Sequence, residues 1–190
     1  MVKSLYTSPS SLVIGAITTV GAAGAVAWLS DSSTLWFAAT VLAIVALVRV
    51  VASLGLSPET GRNSTAKLEL VYEIGAFSFA FVLGMTAAYT IFASDSPQAQ
   101  LLMVANALGY GIGVSARNAG RPIIAIGQLT FSCLPIALAC LLTADMGHIA
   151  LGITILLLIP AQSIISRNIF AVLRGFIVSA NEKTRLANDM

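Results

Sequence analysis

Apolar residues run almost without interruption over six stretches, roughly Ser11–Leu29, Thr34–Leu54, Leu70–Phe92, Ala99–Ala116, Pro122–Thr143 and His148–Ile165. Short polar segments separate them, at 30–33, 57–67, 93–98, 117–121 and 144–147. A helix crossing a hydrocarbon core of ~30 Å needs about 20 residues at ~1.5 Å each. Every stretch reaches or nearly reaches that length. The runs are continuous rather than alternating, so they do not read as strands of a β-barrel. Backbone polar groups in lipid must be satisfied within the segment, which makes helices the expected elements. The pattern therefore predicts an all-α polytopic bundle of six transmembrane helices joined by short turns.

The periodicity changes character after the sixth stretch. Ile165, Ile169, Val172, Phe176, Ser179, Lys183 and Leu186 follow a 4-3-4-3-4-3 spacing, a heptad seam that continues beyond the bilayer. The sequence thus divides into a six-helix transmembrane domain, residues 1–165, and a cytoplasmic helix or linker, residues 166–190. The seam weakens at Ser179 and Lys183, which suits a marginal, switchable coiled coil. It predicts a parallel homodimer through this output helix, with Ile165, Ile169, Val172 and Phe176 at the contact.

Composition agrees with the pattern. The chain has 190 residues, 57% apolar and 9% charged, against about 25% charged in soluble domains. A soluble globule of this size needs a larger polar skin. Ten basic and eight acidic residues nearly cancel, so no bulk field attracts nucleic acid. If the six stretches alternate across the bilayer, all ten Lys and Arg fall on one side, and Asp31, Asp95 and Asp145 fall on the other. The positive-inside rule then places both termini in the cytoplasm. Trp28 and Trp36 flank the first outer turn, as an aromatic belt would.

Polar residues inside the apolar runs are the candidates for function. Arg49 and Glu73 lie at comparable depths on consecutive helices and are expected to form a structural ion pair, because a lone charge at that depth is costly. Asn106, Gln128 and Gln162 fall on helices four, five and six. Their amides can bond across helices or line a cavity that holds a ligand. Ala105, Gly109 and Gly113 form a small-residue stripe that permits close helix approach. Cys133 and Cys140 are two turns apart on one helix, about 10 Å along its axis, too far for a disulfide. His148 is the one histidine and lies near Asp145, a poor metal site without further ligands. No catalytic constellation, metal cluster or nucleotide loop occurs, so the chain reads as no enzyme and needs no cofactor.

The run Gly109–Pro122, with Gly127-Gln128 and Pro135 after it, resembles the N-terminal multi-helix membrane region of bacterial diguanylate cyclases, the cyclic-di-GMP signalling proteins of the GGDEF and EAL class. Its most specific part is the inner turn Ala116-Arg117-Asn118-Ala119-Gly120-Arg121-Pro122. The segment Asn181–Ala187 resembles the helical linker that leads into the PAS or GGDEF modules of that family. The likeness covers helices four to six well and the first three in general pattern. It implies a bacterial inner membrane, an unnamed small-molecule or lipid signal, and control of an output module outside this chain, which holds no GGDEF or EAL motif. Arg117, Asn118 and Arg121 are expected to anchor the inner turn at the lipid headgroups. A small six-helix transporter or channel is the alternative, with Asn106, Gln128 and Gln162 as its pathway.

Overall fold

The computed structural model describes residues 9–55, 65–118 and 120–188. These form six α-helices and, among the described residues, no strand: α1 (Pro9–Leu29), α2 (Ser33–Gly55), α3 (Thr65–Ala93), α4 (Pro97–Arg117), α5 (Pro122–Leu142) and α6 (Met146–Asn188). Each expected helix is present; the ends of the first five lie within about five residues of the apolar runs, and α6 continues well past Ile165. The turns explain the ends. Pro97 and Pro122 occupy first-turn positions, where a missing N–H costs nothing. The Ser96 side chain accepts from the Ala99 N–H and caps α4. Asp31 adopts φ 44° in the three-residue turn between α1 and α2, a left-handed conformation that a short polar side chain tolerates.

Five of the six helices, α1, α2, α3, α5 and α6, are long and apolar enough to cross a membrane. The exception is α4, which the apolar pattern had also counted as a span. It is equally long, at 21 residues, but carries Gln98, Gln100, Asn106, Tyr110 and Arg117 together with several glycines. Its surroundings account for this, because α4 packs against α1, α3, α5 and α6. Two of its polar groups, Gln100 and Tyr110, bond to neighbouring elements, as interhelical hydrogen bonds allow.

The most extensive interfaces are α3 with α5 and α5 with α6. The core draws on all six helices, with Val26, Leu42, Phe79, Leu83, Met103, Leu129, Ile136 and Ile155 fully buried. Cys133 and Cys140 are buried, free thiols in this core. The outside of the bundle is as apolar as its inside. Ile17, Phe37, Leu47, Val51, Leu101, Leu142 and Leu157 are all exposed, an arrangement suited to lipid rather than water. α3 and α5 touch at backbone distance at Gly84, where an added Cβ would meet the Phe131 carbonyl and lie 2.8 Å from the Ser132 carbonyl oxygen.

The turns at one end are tied together. The Ser30 and Ser94 hydroxyls share a 2.7 Å hydrogen bond that joins the α1–α2 turn to the end of α3. Asp145 opens α6, its carboxylate accepting from the His148 N–H at 2.9 Å and lying 2.8 Å from its Nδ1. The other imidazole nitrogen lies 3.0 Å from Gln100 Oε1. The Gln100 amide donates to the Ser94 and Ile91 carbonyls. His148 is thus a structural link between α4 and α6.

The His148 N–H, and then its side chain, hold the Asp145 carboxyl below its ordinary value of 3.8. A depressed native value means that this carboxylate stabilises the fold above the unfolded-state value and loses that contribution as pH falls through the native one. Asp145→Ala is therefore expected to lower the melting temperature at pH 7. The gap from the parent protein should close as the pH is taken below about 4, measured by circular dichroism in detergent.

Candidate functional site: a buried polar chain and a cationic cavity

The side chains that converge near the basic end of the bundle come from α2, α3, α4 and α5. Gln128 on α5 is fully buried and makes three hydrogen bonds. Its Nε2 donates to the Tyr110 hydroxyl at 2.7 Å and to the Ala76 carbonyl at 3.3 Å, while its Oε1 accepts from Asn118 Nδ2 at 2.8 Å. Asn118 Oδ1 in turn accepts from the Tyr72 hydroxyl at 3.1 Å. At the other end, Arg49 Nη1 donates to the Tyr110 hydroxyl at 2.9 Å. The chain therefore runs Tyr72, Asn118, Gln128, Tyr110, Arg49, and the Tyr110 oxygen receives two donors. The Arg49 guanidinium also lies 5.3 Å from the centre of the Phe79 ring, within cation–π range. Phe79 meets the Tyr110 ring edge-on at 5.1 Å.

Several sequence expectations change here. Arg49 turns to Tyr110 and Phe79, and no ion pair joins it to Glu73, which is half-buried. The reason is proximity across the bundle, since α4 offers a hydroxyl acceptor and an aromatic face that chain neighbours do not. Asn118 is 3% exposed and bonded inward, so it does not sit at the headgroups. As the C-cap of α4 it has left the helical path, with its own N–H still bonded to the Val114 carbonyl. That places its amide between Tyr72 and Gln128. Arg117 is half-buried and lines the cavity described below. Arg121 is half-buried, Gly120 is exposed, and Pro122 begins α5.

Of the three amides expected to act together, Gln128 is the hub, Asn106 stands in a cavity, and Gln162 is half-buried with no hydrogen bond to either. Tyr72 and Tyr110 were not singled out by sequence reasoning. The available signal was general: a tyrosine buried in an apolar helix needs a partner for its hydroxyl.

Beside the chain lies a cavity of about 570 Å³ between α1, α2 and α4, within the usual range of small-molecule sites. Its walls include Leu12, Ala46, Val50 and Phe79, and its polar members include Arg49, Asn106 and Arg117. Ala105, Gly109 and Gly113 also line it. The small-residue stripe thus faces open space, and a Cβ on Gly109 or Gly113 would meet nothing within 4 Å. Close approach occurs on the opposite side of α4, where a Cβ on Gly111 would lie 2.8 Å from Ser132 Oγ. Three nitrogens on the cavity's side chains, Arg49 Nε, Asn106 Nδ2 and Arg117 Nη2, are buried without a hydrogen-bond partner. A charged side chain within a bilayer costs roughly 2.5–3.5 kcal/mol even by lenient scales, and more when unpaired.

Among the described residues no group of three His, Cys, Asp or Glu could hold a metal. No family model matches the chain, and no curated protein and no solved structure matches it either.

Proposed function

We propose that this chain is the membrane input unit of a signalling protein. Its six helices all span the bilayer, both ends face the cytoplasm, and α6 carries the state of the bundle to an output module as a parallel dimer. The observation that carries this reading is the length of α6. It is a single helix of 43 residues that continues through Pro160 and past residue 165. Its apolar part, Met146–Ala180, covers 35 residues, about 52 Å of helix. That exceeds a ~30 Å hydrocarbon core by about 20 Å. In the surplus, Ile169, Val172 and Phe176 are exposed on one face, Phe176 at 70%. A second copy of the helix would bury them. The likeness of Gly109–Pro122 to the membrane regions of diguanylate cyclases, and of Asn181–Ala187 to the helical linker that follows them, supports an output in cyclic-di-GMP signalling.

Fusing the chain to a reporter diguanylate cyclase tests this. Val172→Asp with Phe176→Asp places like charges on the seam. It is expected to convert dimer to monomer by light scattering in detergent and to lower reporter output at least tenfold. Unchanged output from a monomeric variant would overturn the reading. The cavity gives a second reading, a small transporter, some support. Substrate flux into proteoliposomes that is lost with Asn106→Leu would favour it.

A further inference from the structure

We infer that the cavity between α1, α2 and α4 binds an anionic amphiphile, with a carboxylate or phosphate head on Arg49 and Arg117 and an apolar chain along α1 and α4. The three buried, unpartnered nitrogens at this cavity are all donors, so the missing partner is an acceptor. Two belong to guanidiniums, whose forked geometry matches carboxylate and phosphate. Among the described residues no Asp or Glu lines the cavity, and neither arginine has a carboxylate partner. Among the described residues the site therefore carries two positive charges and no counter-charge.

The rest of the wall suits a hydrocarbon chain. Leu12, Ile14, Ala46, Val50 and Phe79 present apolar surface. Ile14, Ala105, Gly109 and Gly113 are exposed while lining the cavity, so it opens sideways between α1 and α4. A ligand dissolved in the bilayer reaches such an opening without leaving the apolar phase. Asn106 lies about 16 Å along α4 from Arg117, too far to share a compact head.

The site supplies a ligand class to the input unit proposed above, and the two are tested separately because binding needs no output module. The full chain in a neutral detergent is titrated by native mass spectrometry with palmitate, 1-palmitoyl-lysophosphatidylglycerol and 1-palmitoyl-lysophosphatidylcholine. One molecule of an anionic probe is expected to bind at least tenfold more tightly than the zwitterionic one. Palmitate alone would identify a free fatty acid, the glycerophospholipid alone a bilayer lipid, and both a site that reads head charge. Arg117→Gln should weaken binding at least tenfold. Gly109→Leu should abolish it, with helix content and melting temperature retained; Gly113→Leu serves if that variant does not fold. Equal binding of all three probes, no binding, or binding unaltered in these variants would overturn the inference. An unliganded dimer made monomeric by Gly109→Leu would also overturn it, by placing a second copy in the cavity. Reporter output that ignores a bound ligand would count against the input unit only.

Discussion

Gln128→Leu is expected to destabilise the bundle by about 2–4 kcal/mol, measured by reversible denaturation in mixed detergent micelles. The shape of the side chain is nearly kept, so the loss comes from hydrogen bonding. Gln128 holds Asn118, Tyr110 and the Ala76 carbonyl at once. Interhelical hydrogen bonds in membrane proteins average about 0.6 kcal/mol and reach about 1.7. A buried donor left without an acceptor adds about 1–3 kcal/mol. Asn118 Nδ2 becomes such a donor, since Gln128 Oε1 is its acceptor. Gln162→Leu provides the contrast. Gln162 is half-buried and outside the polar chain, so its replacement should stay within about 0.5 kcal/mol of the parent. Equal costs for the two glutamines would contradict the assignment of Gln128 as the hub.

Gly84→Ala should be nearly as damaging, although it adds one methyl group. The new carbon would press on the Phe131 and Ser132 carbonyls of α5. These are backbone atoms, and no rotamer change relieves them. α3 and α5 must move apart along the most extensive interface in the bundle. Overpacking of this kind costs about 1–3 kcal/mol. Gly84→Leu is expected to prevent recovery of folded protein. Gly109→Ala on the next helix should go the other way. A Cβ there meets nothing within 4 Å, and alanine gains up to about 1 kcal/mol of helix propensity over glycine. Opposite signs for the same chemical change would separate a backbone contact from an open groove. Losses at both positions would argue against the open groove.

Those two glycines show what can be read from the residue string and what cannot. Helices of this length were legible because hydrocarbon thickness imposes a minimum run of apolar residues. The continuation of α6 was legible in its heptad spacing. The partners of Arg49 were not. Glu73 is on the next helix along the chain, whereas Tyr110 is on α4 and reaches Arg49 across the bundle. Chain order gives no register for helices that are not consecutive. A small-residue stripe is equally ambiguous: Ala105, Gly109 and Gly113 permit close packing or leave a gap, according to how far α1 stands off. Asn118 looked exposed because arginines and a glycine surround it in a turn. Its burial depends on the direction the backbone takes after α4 ends.

The asymmetry of α6 has a mechanical consequence. Its first turn is fastened through Asp145, His148 and Gln100, and its packing partners are α5 and, to a lesser extent, α4. From residue 171 to 180 every residue is exposed. The helix is thus a rod about 65 Å long, packed on α5 over its first part and exposed from residue 171 to 180, with the end of the packed part as its pivot. A tilt of a few degrees at the pivot displaces the far tip by several ångströms, and the displacement grows with distance along the rod. In the dimer proposed above, changes too small to disturb the packed core would arrive at the tip as changes in the spacing between the two copies of α6.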